Sequence, residues 1–268
     1  WSQRLGANDV QIVFWKLWFI VLFLTIWMVT QTDNWRDALV VNPRLTLALA
    51  LCLTCVSVGI SVGVLLTYAS NALFAYSLDP IWGAVLGWVC LGDVLPTSTI
   101  LALLGAVVAL VVMFLPAVLS QRGKTATSLA GDVIALGAGV AMALYLTLLR
   151  WMFMTGKVVN AVAASAIGNS IGAVVFGVVA AGFDLALVGD VPRVYFFVSA
   201  LDGLAVTCVI IGFTIGPKYI TGAHCGLISL VETILGPLLV FAAFGERPPV
   251  FTLIGGGIVL VVVFFHEW

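Results

Sequence analysis

The stretch LCLTCVSVGISVGVLL at residues 51–66 is written a second time as LAVTCVIIGFTIGPKY at residues 204–219, and the agreement continues without a gap to residues 108 and 261. Adding 153 carries Leu51 to Leu204, Thr54-Cys55-Val56 to Thr207-Cys208-Val209, and Gly59 and Gly63 to Gly212 and Gly216. Further on, Ile81, Gly83 and Leu86 return as Ile234, Gly236 and Leu239, Gly92 as Gly245, Pro96 and Thr99 as Pro249 and Thr252, and Val108 as Val261. Thirteen of 58 aligned positions are identical, where a composition this skewed gives roughly five or six by chance. Chance would not also keep the Gly and Pro positions, and the acids Asp93 and Glu246, in one register. The chain is a duplication.

Its solvent follows from composition. With 63% hydrophobic and 9% charged residues and a mean hydropathy of +1.22, it lacks the polar surface that a water-soluble domain must show. A run of about 20 apolar residues crosses a ~30 Å hydrocarbon core as a helix. Nine such windows are legible, near residues 10–29, 45–67, 72–91, 97–116, 131–150, 159–182, 195–216, 223–244 and 250–267. Their length suits helices and not the ten-residue alternation of membrane strands. A net charge of -1 with scattered Lys and Arg supplies no basic stripe for nucleic acid. All five cysteines fall in apolar windows, which argues against a disulfide framework. Cys52-Leu53-Thr54-Cys55 has the spacing of a metal or redox pair, but with two His in the chain it reads as packing. Neither cofactor nor metal is expected.

Five crossings separate each window from its copy, an odd number, so equivalent helices are expected to run in opposite directions. Such inverted repeats are characteristic of secondary transporters, with the substrate site between the repeats near mid-membrane. The expected fold is an all-α polytopic membrane protein of one integrated domain, its first repeat at residues 1–116 and its second at 131–268. The second repeat has five windows and the first only four, so parity calls for a further helix upstream of Trp1, ten in all. Lys and Arg split five against five between alternate loops, which leaves orientation open. Gly pairs at four-residue spacing, Gly59/Gly63, Gly83/Gly87, Gly168/Gly172, Gly212/Gly216 and Gly222/Gly226, permit close helix crossings.

Leu78-Asp79-Pro80, followed thirteen residues later by Leu91-Gly92-Asp93, within the stretch Tyr68–Phe114, resembles the drug/metabolite transporter superfamily, in particular its ten-helix EamA-type members. In that family each repeat has an apolar helix with Leu-(Glu or Ser)-Pro and then a Leu-Gly-Glu turn. The second copy shows Val231-Glu232-Thr233 and Phe244-Gly245-Glu246, and Val10–Lys16 is similar to the start of the family's second helix. Asp93 stands for the usual Glu and Thr233 for the usual Pro. The resemblance implies a multi-pass transporter of a small organic metabolite. The Lys-Arg pair of similar triose-phosphate carriers is absent.

Candidate site residues are those whose polarity is expensive in lipid. A mid-helix carboxylate costs about 2.5–3.5 kcal/mol on insertion scales, so it faces a cavity or a partner. Asp79 and Glu232 are 153-offset mates; proton carriers, counter-charges for a cationic substrate, and acceptors for backbone donors at a helix kink are three roles open to them. Desolvation favours the protonated form of an acid, which makes proton coupling physically accessible. Eight residues before each stands a polar mate, Asn71 and His224, about 12 Å nearer the helix start. Asp202, whose mate is Leu49, points by its asymmetry to substrate contact or to a neighbouring hydroxyl. Tyr76, Trp82, Tyr145, Ser165 and Asn169 could supply the oriented polar and aromatic groups of a small-molecule cavity, or simple packing and interface contacts.

No His-Glu-x-x-His or Gly-x-Ser-x-Gly motif suggests an enzyme, and no charge ring or carbonyl filter suggests a channel. The expectation is alternating access by a small-molecule transporter in a lipid bilayer, with a nucleotide-sugar or other organelle exchanger of the same fold and a non-transporting scaffold as alternatives. Proton coupling and assembly as a homodimer are further expectations. If the paired acids couple protons, Glu232→Gln abolishes the pH dependence of uptake while binding persists; uptake assayed from pH 5 to 8 checks it, and an unchanged profile removes the coupling.

Overall fold

The computed structural model describes residues 9–30, 42–67, 69–94, 96–120, 126–157, 159–182, 193–220, 224–225, 227–229 and 250–267. Every regular element among them is helical: α1 (Asp9–Thr30), α2 (Pro43–Leu66), α3 (Ala69–Tyr76), α4 (Asp79–Leu86) with a π-helical turn at Gly87–Leu91, α5 (Thr97–Ser120), α6 (Ala126–Met154), α7 (Ala161–Gly182), α8 (Arg193–Ile215) with a 3-10 turn at Gly216–Lys218, and α9 (Val250–Glu267). Seven stretches among the described residues are long and apolar enough to cross a membrane, and α9 holds a shorter apolar run at Val250–Val262. The expected crossing at 223–244 falls largely outside the described residues.

Their exposed faces identify the surroundings. On α1, Trp18, Leu22, Ile26 and Val29 recur at helical spacing and are 40–70% exposed, whereas a helix facing water would carry charge there. The face meets lipid, and the chain is an integral, multi-pass membrane protein.

The crossing expected as one helix at 72–91 is broken. α3 stops at Tyr76, Ser77 and Leu78 form a turn, and α4 restarts at Asp79. Pro80 has no N–H to donate to the Tyr76 carbonyl and its ring collides with that turn of helix. The backbone compensates with Ser77 N–H to Leu73 O at 2.9 Å and Ile81 N–H to Leu78 O at 3.1 Å. At the far end Gly92, at φ 69°, turns left-handed and donates its N–H to Gly87 O. Glycine adopts that conformation without the Cβ penalty. This turn directs Asp93 at Arg150, with Oδ2 and Nε 3.3 Å apart, an ion pair lacking hydrogen-bond alignment at Nε. Arg150, expected in a loop, lies inside α6, which runs to Met154.

α6 is the helix against which much of the first half packs. It runs antiparallel to α2, with Ala138 beside Gly59, Ala135 beside Gly63, and Gly131 beside Thr67. Its Gly139 lies against the Tyr76 carbonyl at the α3–α4 break, where an added Cβ would sit 2.8 Å from that oxygen. α7 runs parallel to α2, with Gly168 against Ala50 and Gly172 beside Val58. α8 runs parallel to α1: Trp15 meets Phe196 at 4.9 Å between ring centroids, and Gly203 lies on Phe19 and Ile20. α9 is antiparallel to α5, Gly255 beside Ala109 and Met113, and Val262 beside Gly105. Of the duplicated Gly pair, Gly59/Gly63 makes the close crossing, whereas Gly212 has no described atom within 4 Å of the position of a Cβ.

Gly168→Ala would force its methyl into the Ala50 carbonyl oxygen and lower stability by about 1–3 kcal/mol, the usual cost of overpacking. Gly137→Ala, with no described atom near the added methyl, gains up to about 1 kcal/mol from helix propensity. Unfolding midpoints in detergent check the pair.

Candidate functional site

One contiguous polar network joins four helices inside the bundle. Ser57 on α2 donates to Asn169 Oδ1 on α7 at 2.7 Å, and Asn169 Nδ2 donates to the Ser165 carbonyl at 2.9 Å. The Tyr145 hydroxyl on α6 lies 2.9 Å from Ser165 Oγ and 2.8 Å from Thr214 Oγ1 on α8. Thr54 adds a bond from α2 to the Gly168 carbonyl at 2.8 Å. Tyr145, Ser165 and Asn169 are wholly buried and Thr214 nearly so. In a hydrocarbon setting such groups persist only when partnered, which is why each hydroxyl also turns back to a carbonyl of its own helix or across to a neighbour.

Tyr145, Ser165 and Asn169, expected at the lining of a cavity, are therefore brought together, but as a packed network and not as an open wall. Ser57 and Thr214 complete it, and the sequence reading passed over both. A signal for Thr214 existed, since its 153-offset mate is Ser61, also a hydroxyl, which bonds to Ser57 O at 2.6 Å. Around the lower part of the network Leu49, Cys52, Leu53, Met142, Leu146, Leu149, Met152, Ala161, Ala164 and Cys225 form one apolar core. That core lies at the end of the bundle that carries the Thr155–Gly156 turn.

Asp79 is buried and is the first residue of α4. A carboxylate there lies at the positive end of the helix, while the first-turn donors Ile81 and Trp82 bond to the Leu78 carbonyl. Trp82, half-buried one turn on, keeps its indole N–H out of solvent with no acceptor among the described residues. Asn71 is buried near the opposite face, its Nδ2 3.5 Å from Thr67 Oγ1, while Thr67 donates to Asp132 at 2.8 Å. Tyr76 is half-buried at the break, and His224 is half-buried beside Cys225. Glu232 lies outside the described residues.

Asp202 does not join the network. It sits twelve residues before Thr214 on α8, about 18 Å along the helix, and pairs with Lys16 on α1 at 3.0 Å. Its side chain is 46% exposed and that of Lys16 34%, whereas Leu49, the offset mate of Asp202, is fully buried. No group of three or more His, Cys, Asp or Glu able to hold a metal occurs among the described residues, and the five cysteines are free thiols.

No family model and no curated protein matches the sequence. Among solved structures, 24 chains match; one, described as "Crystal structure of protein", superposes with a TM-score of 0.77 at 17% identity over 98% of this chain and 88% of that one. The likeness is one of fold.

Asn169→Ala strands Ser57 and removes two buried hydrogen bonds, at a cost of about 1–3 kcal/mol. Asp202→Asn, at a half-exposed pair, costs under about 1 kcal/mol. Equal losses in thermal unfolding would contradict this ranking.

Proposed function

We propose that the chain is a transmembrane transporter of a small organic metabolite, working by alternating access, with the inverted 5+5 architecture of EamA-type drug/metabolite transporters. One observation carries the reading: a shift of 153 residues exchanges the helices and their packing partners together. The shift lays the described α5 (Thr97–Ser120) over the described α9 (Val250–Glu267), α1 over α7, and α2 over α8. Under the exchange, the α2–α7 contact becomes the α8–α1 contact, and both are parallel. The α1–α7 and α5–α9 contacts map onto themselves, as contacts across a pseudo-twofold axis must.

Direction supports inversion. α6 is antiparallel to α2 and α7 is parallel to it, so α8, the next crossing, opposes α2, its own mate. Closure at one face brings the helix ends of one repeat together while those of the other separate. The broken α3–α4 crossing fits as well, because interrupted helices at mid-membrane are where such transporters hold solutes. The end carrying Gly156, filled by the apolar core around Tyr145, is on this reading the closed face. The chemistry requires no cofactor, only a change in which face admits solute.

The test is ligand-dependent stabilisation followed by uptake. The purified protein is heated with amino acids, amines, sugars and nucleotide sugars in turn, and hits are assayed for counterflow in proteoliposomes. A ligand at 100 times its Kd adds about 2.7 kcal/mol of stability. A small metabolite that both stabilises and exchanges supports the proposal; exchange confined to nucleotide sugars selects the organelle-exchanger alternative. Neither effect with any solute leaves the scaffold alternative standing.

A further inference from the structure

The network around Tyr145 is one proton short. Ser165 donates its hydroxyl proton to the Ala161 carbonyl at 2.8 Å, and Thr214 donates its own to the Ile210 carbonyl at 2.7 Å. Carbonyl oxygens only accept, so both protons are committed in that arrangement. The Tyr145 hydroxyl, with a single proton, then faces two acceptors, Ser165 Oγ at 2.9 Å and Thr214 Oγ1 at 2.8 Å. Four short contacts share three protons, so at any instant one goes without.

The two contacts of Tyr145 differ in what they join. Ser165 belongs to α7, and Thr214 belongs to α8. α6 packs extensively on α2, α3 and α4 but shares little surface with α8 itself; its other contact on that side is with the 3-10 turn that follows α8. Thr214 sits next to Ile215, the last residue of α8, and its partner Tyr145 belongs to the core that includes Cys52 and Cys225. α6 and α8 belong to the same repeat, so opening the closed face by the spreading of that repeat's helix ends draws the end of α8 away from α6 and parts Tyr145 from Thr214.

We propose that Tyr145 is the latch of the closed face: its hydroxyl holds Thr214 when the face is shut and turns to Ser165 when it opens. This rests on the alternating-access reading. The proton deficit makes the latch easy to release. When Thr214 leaves, it keeps its bond to Ile210 O, Ser165 keeps its bond to Ala161 O, and the Tyr145 proton goes wholly to Ser165. No buried donor is stranded in either state, and the deficit is relieved in the open one. Leaving a buried group unsatisfied is the expensive event in hydrogen-bond exchange, and the arrangement avoids it.

Three substitutions separate this role from packing, because each leaves every remaining hydroxyl in the set with a partner. Tyr145→Phe and Thr214→Val remove the latch. Ser165→Ala removes its competitor and reserves the Tyr145 proton for Thr214. The readout is native: Cys225 is 4% exposed in the same core. In a background with Cys52, Cys55, Cys90 and Cys208 replaced by Ser or Ala, the labelling of Cys225 by a polar maleimide in lipid nanodiscs reports opening of that face.

Tyr145→Phe and Thr214→Val are expected to speed labelling by about 2–10-fold, the equivalent of one hydrogen bond, with the unfolding midpoint lowered by less than about 4 °C. Ser165→Ala is expected to slow it. Opposite signs for Ser165→Ala and Thr214→Val support the latch even where no solute is transported, in which case the transport reading is what fails. Equal labelling in all variants, or acceleration by all three, overturns the latch whatever uptake does.

Discussion

The structure depends on how closely α6 can approach its neighbours. Lipid offers helices no hydrophobic drive toward one another, so association rests on van der Waals contact, and contact rests on small side chains at the crossing. Gly131, Ala135, Ala138 and Gly139 give α6 a face without bulk. Thr67, Gly63, Gly59 and the Tyr76 carbonyl come to rest on that face. With α6 in place, α2 and the broken α3–α4 crossing are held in fixed relation, and the end of α6 can pair Arg150 with Asp93.

The same lack of water governs the polar groups. Threonine and serine hydroxyls in the bundle bond back to carbonyls one turn earlier in their own helices, as at Thr54, Thr147, Ser165, Thr207 and Thr214. Such bonds satisfy a buried group at little entropic cost, because donor and acceptor are already fixed in one helix. Where two helices come within reach, as at Ser57–Asn169, Thr54–Gly168 and Tyr145, the polar groups also join helices together. Charge follows the same logic. Lys16 and Asp202 neutralise each other between α1 and α8, and Asp79 takes the positive end of α4.

Much of this was legible in the sequence. The apolar windows at 97–116 and 131–150 lie within α5 and α6. Pro80 marked a kink, but not that the crossing would split into two helices. The polar residues were located without their relations: Tyr145, Ser165 and Asn169 are scattered over 25 positions of sequence, and Asp202 carried no mark of its pairing with Lys16, 186 residues earlier.

The sequence by itself determined the solvent and the helical, multi-pass character of the chain, because both depend on a quantity local to the chain, hydropathy over one membrane thickness. Only the tertiary structure decided which polar groups meet, which side chains share the core around Tyr145, and that Tyr145 is shared between Ser165 and Thr214. Those outcomes depend on the rotation and depth of helices far apart in the chain, and a shift of a few ångströms between helices creates or abolishes a hydrogen bond while leaving every apolar window unchanged.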